Sequence, residues 1–295
     1  FVPEYFESEK TNLLEAIRSL VNDKRDWADS RLLRTMCTGE PYSIPRLGDE
    51  ETVDKLQALR LYDQYRDLIT TAPLEIIYSG SAELDRVRQA LAAAFATLPR
   101  EEVRTIADAV PHVCRESVQT VEDEMEVTQG KLSMGFSCGS DDMPALLLGN
   151  TLFGGSSNSK LFLNVREKLS LCYYASSMYH RQKGIITVSS GIEFQNYQRA
   201  YDEILSQLAA VQNGELEEWE LAGARSTLLN SYATVGDSQG KLENFYLGQA
   251  ATGRSETPAD LAQAVMEVSA ERICRAMSTV KLDTVYFLKG KEAQA

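Results

Sequence analysis

The stretch that decides the fold runs Leu148-Gly149-Asn150-Thr151-Leu152-Phe153-Gly154-Gly155-Ser156-Ser157-Asn158-Ser159-Lys160-Leu161-Phe162 and continues Leu163-Asn164-Val165-Arg166-Glu167-Lys168-Leu169-Ser170-Leu171-Cys172-Tyr173-Tyr174. It reads as a helix, a tight turn at Gly154-Gly155-Ser156, a second helix and a strand. Glycine tolerates positive φ, so the pair is expected to make a sharp helix-to-helix junction. Arg166 falls near the end of the second helix and Tyr173 at the start of the strand. One short connection can therefore bring both side chains to one place.

Working outward, strand signals appear at 118–125, 130–138, 172–179 and 185–192, the last two joined by Arg181-Gln182-Lys183-Gly184. Helical periodicity follows at 197–211, 216–232 and 240–252, with shorter helices at 258–268 and 270–279 and a closing strand at 284–288. Strands, a block of helices and a returning strand predict an α+β layer, one sheet with helices packed on one face.

Upstream, residues 4–24 and 26–36 read as helices, the first with Leu13, Leu14, Ile17, Leu20 and Val21 on one face. A loop marked by Gly39, Pro41 and Pro45 precedes a helix expected from Asp49 to Thr70. A short strand is expected at Leu74–Tyr78 and a helix at 82–97. One strand cannot make a sheet, so this region reads as the rear of an α/β domain. The expected organisation is residues 1–98 as the C-terminal part of a first, incomplete domain, 99–116 as a connector and 117–295 as a complete second domain.

The chain has a net charge of −13, with 30 basic and 43 acidic residues. That balance argues against nucleic acid, whose binding needs clustered cations, and against anionic membrane surfaces. No run approaches the ~20 apolar residues of a membrane span. Five scattered cysteines (Cys37, Cys114, Cys138, Cys172, Cys274) make neither a disulfide framework nor a metal knuckle, which points to a reducing, cytoplasmic setting.

The two histidines, His112 and His180, lie in no H-E-x-x-H or H-x-x-E-H pattern and read as exposed or locally bonded side chains. Gly154-Gly155-Ser156 lacks the lysine and spacing of a phosphate loop, and no G-x-S-x-G elbow is present.

The run from Gly154 to Tyr174 resembles the second-domain signature of the insulinase/pitrilysin family of zinc metallopeptidases. That signature is Gly-Gly, Ser, Leu-Phe, Val-Arg-Glu-Lys, Leu, and a Tyr seven residues after the Arg. Tyr42–Gly48 and Leu74–Gly80 resemble the later part of the family's first domain. The resemblance covers essentially the whole chain but starts partway into that domain, so the inverted zinc motif is expected upstream of Phe1. It implies two insulinase-type domains and gives Arg166 and Tyr173 the role of contacting substrate backbone.

In active relatives the first helix also carries a metal-binding Glu, seven residues after the first Glu of a Glu-Arg pair. Here the pair reads Glu9-Lys10 and the seventh residue is Ala16. Seven residues are nearly two turns, so this residue shares a face with Glu9, whereas Glu15 points about 100° away. Ala16 marks a degenerate metal position.

The resemblance is closest to a small bacterial non-catalytic homologue. It implies a chain without catalytic residues, metal or cofactor of its own. Such a chain would bind or enclose extended peptide and pair as a homo- or heterodimer with a related active zinc peptidase subunit. An exposed strand edge could hold peptide main chain. The alternatives are a zinc metalloendopeptidase whose motif lies in the missing N-terminal segment, and a structural or assembly protein that handles no peptide.

Overall fold

In a computed structural model, residues 1–104 and 110–291 are described. Part of the expected connector, residues 105–109, and the end of the expected second domain, residues 292–295, lie outside them. The chain forms two compact units. One comprises Phe1–Arg18, Leu47–Ala109 and Val235–Ser255; the other comprises Ser19–Arg46, Val110–Thr234 and Glu256–Ala295. Compactness therefore does not follow chain order.

The larger unit holds five strands, β1 (Gln119–Met125), β2 (Gly130–Cys138), β3 (Cys172–His180), β4 (Ile185–Ile192) and β5 (Val280–Gly290). They form one mixed sheet in the order β1-β5-β2-β4-β3. Only β1 and β5 run parallel; the other neighbours are antiparallel. Because side chains alternate along a strand, Leu132, Met134, Phe136, Ile186, Val188, Val285 and Phe287 turn to one face. There they join the main core. The helices over that core are α6 (Met143–Phe153), α7 (Tyr197–Gln212), α8 (Glu218–Ala233), α10 (Pro258–Met266) and α11 (Ala270–Met277). Their periodic apolar residues include Ala200, Ile204, Leu208 and Val211 on α7 and Ile273, Ala276 and Met277 on α11.

This layer is the expected α+β arrangement, with one addition. The opposite face carries α2 (Lys24–Met36), whose Ala28 and Leu32 cluster with Tyr286 and Leu288. A glycine at 135 lets α2 approach, since a Cβ there would lie 2.6 Å from Met36 Sδ. The side chain of Asp23 caps α2 by accepting the Arg25 and Asp26 N–H groups, both at 3.0 Å.

The smaller unit is helical among its described residues: α1 (Pro3–Ser19), α3 (Glu50–Asp54), α4 (Ala58–Thr71), α5 (Leu84–Phe95) and α9 (Gln239–Ala251). Two expectations are corrected here. The helix expected from Asp49 to Thr70 breaks into α3 and α4. Leu74–Tyr78 joins no sheet: no described residue pairs with it, and an extended segment without a neighbour makes no ladder bonds.

Candidate functional site

The glycine turn follows α6 and leads into a π-helical segment, Leu161–Lys168. Neither Gly154, at φ −156°, nor Gly155 has positive φ, so the expected reason for the glycines is corrected. They are needed for space. A Cβ on Gly154 would lie 2.8 Å from the Ser177 backbone nitrogen and 2.7 Å from Ser177 Oγ; one on Gly155 would lie 3.0 Å from Thr151 Cα. β3 lies directly on the turn: the Ser177 N–H donates to Gly154 O at 2.9 Å, and Ser177 Oγ to buried Asn150 Oδ1 at 2.7 Å. Ser156 Oγ donates to Thr151 O at 3.3 Å, closing the turn on α6.

The π-helical segment is anchored at its start by a buried ion pair. Lys160 Nζ meets both carboxylate oxygens of Glu220 on α8 at 3.0 Å, with the two side chains 9% and 7% exposed. Its end is capped by N–H groups from the chain that follows, Leu169 to Asn164 O, Ser170 to Arg166 O and Leu171 to Val165 O. Ser170 takes positive φ, 50°, to turn the chain into β3. π-turns are rare and concentrate at functional sites.

This connection joins Arg166 to Tyr173. Arg166 Nε donates to the Tyr173 carbonyl at 3.0 Å, its Nη1 lies 3.2 Å from Glu167, and its guanidinium sits 4.6 Å from the Phe162 ring centre. The Arg166 side chain is 39% exposed and Tyr173 is 58% exposed. The Tyr173 hydroxyl donates to Glu193, just beyond β4, and that bond, with the carboxylate's charge, holds the phenol pKa above its usual value. Tyr173 therefore stays a neutral donor at neutral pH.

Two main-chain groups of the β3 edge are thus already in use, the Tyr173 carbonyl by Arg166 and the Ser177 N–H by Gly154. At those two groups the β3 edge is not open to a peptide strand.

Ala16 lies on α1, half-buried, beside exposed Glu15. A methyl group offers no lone pair, so Ala16 itself cannot ligate a metal.

The one group of metal-donor side chains close together among the described residues is elsewhere. Cys37, Glu40 and His112 place ligand atoms within 4.8 Å of one another. Here the expectation for His112 is corrected. It is buried, with Nδ1 2.8 Å from Glu40 Oε1 and Nε2 3.2 Å from Asp283 Oδ2. Lys183 Nζ already pairs with Glu40, and burial pushes the Cys37 thiol up to about 11. The cation's place is taken and the thiolate a metal needs is disfavoured, so the group acts as a buried knot. It ties the end of α2, the hairpin turn before β4 and strand β5 together. His180 is also engaged at distance, with Tyr42 Oη at 2.9 Å and Thr187 Oγ1 at 3.0 Å.

Sequence reasoning missed Glu193, Lys160 and Glu220. A partial signal existed for Glu193, an acid ending an apolar strand; the other two partners lie 60 residues apart.

The fold and the Gly-turn, Arg166 and Tyr173 arrangement define a peptidase-type α+β chain with no metal ligand at position 16. Residues 55–228 match the family described as "Peptidase M16 inactive domain", and the chain belongs to the peptidase M16 family. It is 35% identical over 298 residues to "Probable inactive metalloprotease YmfF" of Bacillus subtilis (strain 168), covering 99% of this chain and 69% of that protein. The crystal structure of a conserved protein from Enterococcus faecalis V583 superposes with a TM-score of 0.88 at 26% identity, over 100% of this chain and 70% of that one. The peptidase M16 inactive domain from Pseudomonas fluorescens gives 0.82 at 16% identity, over 100% and 73%, a likeness of fold alone. Among the described residues no helix is long and apolar enough to cross a membrane.

Proposed function

We propose that the chain is a non-catalytic peptidase M16 homologue that holds extended peptide, working in the cytoplasm as the partner of an active zinc peptidase subunit. The observation that carries this reading is the juxtaposition of Arg166 and Tyr173. Both side chains are exposed, Arg166 is held by the Tyr173 carbonyl and the Tyr173 hydroxyl by Glu193, and both stand on a connection built around space-limited glycines. Ala16 supports the non-catalytic half of the reading, because a zinc site needs about three protein ligands and a water. With the Tyr173 carbonyl and the Ser177 N–H of the β3 edge already engaged, contact to peptide is made by the Arg166 guanidinium and Tyr173 ring and hydroxyl rather than by strand addition there.

The test is fluorescence anisotropy of a labelled, unstructured peptide titrated with the full chain and with Arg166→Ala. Saturable binding that the substitution weakens supports the reading. Binding unaffected by Arg166→Ala, with the fold intact by circular dichroism, rejects it. Co-purification with a tagged, active M16 peptidase tests the partnership, and its absence at micromolar concentrations of both chains counts against that part.

A further inference from the structure

Glu193 follows β4 directly and begins the short helical turn Phe194–Asn196, at the position where an acidic side chain ordinarily caps the exposed N–H groups. It does not cap them. Its carboxylate is turned instead toward β3, where its only side-chain partner among the described residues is the Tyr173 hydroxyl. A carboxylate has roughly four acceptor sites, and one hydroxyl uses one of them.

The neighbouring cations are committed elsewhere. Arg166 is held by the Tyr173 carbonyl and balanced by Glu167. Lys131, on the strand beside β4, bonds Gln129 and lies 5.6 Å from the Tyr174 ring centre. The Arg166–Glu167 pair is neutral in sum and Lys131 makes no ion pair with Glu193, so the Glu193 carboxylate has no cationic partner among the described residues. The chain as a whole carries −13, a field that draws cationic peptides toward it.

We infer that Glu193 is a specificity-determining residue, and that the peptides held at Arg166 and Tyr173 are those placing a lysine or arginine side chain against the Glu193 carboxylate. This rests on the peptide-holding reading above. Tyr173 positions the carboxylate: its hydroxyl fixes one oxygen and leaves the other for an incoming ammonium or guanidinium. A basic side chain there gains a charge-assisted hydrogen bond, and an acidic one meets like charge.

The experiment compares otherwise uncharged, unstructured peptides carrying norleucine, lysine or glutamate at one position walked along the host, read by anisotropy on the full chain. At the responsive position lysine binds about fivefold tighter than norleucine, the effect of a partly exposed ion pair. Glutamate binds more weakly than norleucine, and both differences shrink as salt is raised. Glu193→Gln brings lysine and norleucine within about twofold of each other, and Glu193→Lys reverses the order of lysine and glutamate. Both variants keep the parent melting curve, because Glu193 has no partner in the core. Equal binding of all three peptides by the parent, or a lysine preference surviving in Glu193→Gln, overturns the inference. If the three peptides bind the parent equally and Arg166→Ala abolishes that binding, the charge preference alone fails and the peptide-holding reading stands. If no peptide binds the parent, both readings fall together.

Discussion

Arg166 Nε donates a 3.0 Å hydrogen bond to the main-chain carbonyl of Tyr173, seven residues ahead of it. The bond spans the end of the π-helical segment, the positive-φ Ser170 and the start of β3. It ties the exposed Arg166 guanidinium to the main chain that carries Tyr173. Arg166→Lys keeps the charge but cannot reproduce a planar guanidinium that bonds the carbonyl, pairs with Glu167 and covers Phe162 together. The expected outcome is weakened peptide binding in Arg166→Lys nearly as large as in Arg166→Ala, with a loss on the order of 1–3 kcal/mol for a hydrogen bond to a charged group. Isothermal calorimetry on both variants checks it.

Gly154→Ala should lower stability by about 1–3 kcal/mol, the cost of forcing an extra methyl into a packed site. The clash is with the Ser177 backbone at 2.8 Å, which cannot rotate away. Urea unfolding followed by circular dichroism reads the loss. Gly236→Ala, with nothing within 4 Å of the added carbon, serves as the control and should fall within about 0.5 kcal/mol of the parent.

The buried Lys160–Glu220 pair gives a two-step outcome. Lys160→Met strands a buried carboxylate and should cost about 3–5 kcal/mol, whereas Lys160→Met with Glu220→Leu should recover most of it. Recovery stays incomplete, because Glu220 also accepts the Glu217 N–H at 2.9 Å in a capping box. Denaturant midpoints of the single and double variants at neutral pH measure both steps.

Asp142 links α6 to α11 through Arg272, at 2.6 and 2.9 Å. Burial pushes this carboxyl up, but the Arg272 and Ala145 hydrogen bonds outweigh it and hold the pKa below the ordinary aspartate value. A depressed folded-state pKa gives stability that is present above the unfolded value, about 3.9, and is lost as pH falls through the folded value. Asp142→Asn should therefore destabilise the chain at pH 7. The gap to the parent should close as the pH is lowered below about 4. Melting temperatures of the two proteins across that range check the sign.

Much of the sheet was legible in the sequence. β2 and β4 begin and end where expected, because each is an apolar run bounded by turn residues. The hairpin at 181–184 was marked by its polar residues and Gly184, which takes positive φ. β5 is longer than expected, since Lys281 and Asp283 look unlike strand interior. Asp283 is buried there because His112 and the Arg115 N–H bond to it, partners 171 and 168 residues away that no local pattern reveals. The break between α3 and α4 passes through Lys55-Leu56-Gln57, which carries no glycine or proline to mark it. Arg166, Tyr173 and the glycine turn were legible because they share one short stretch. Glu193 and the Lys160–Glu220 anchor were not, because tertiary packing alone brings them in.

The most direct measurement places the full chain, excess zinc and a labelled unstructured peptide in one sample, read by anisotropy for binding and by mass spectrometry for cleavage. The expected result is saturable binding of a peptide that stays intact, with the anisotropy unchanged when a chelator is added. Cleavage that the chelator abolishes, or the absence of any binding at micromolar chain, would contradict the account of a non-catalytic, peptide-holding homologue.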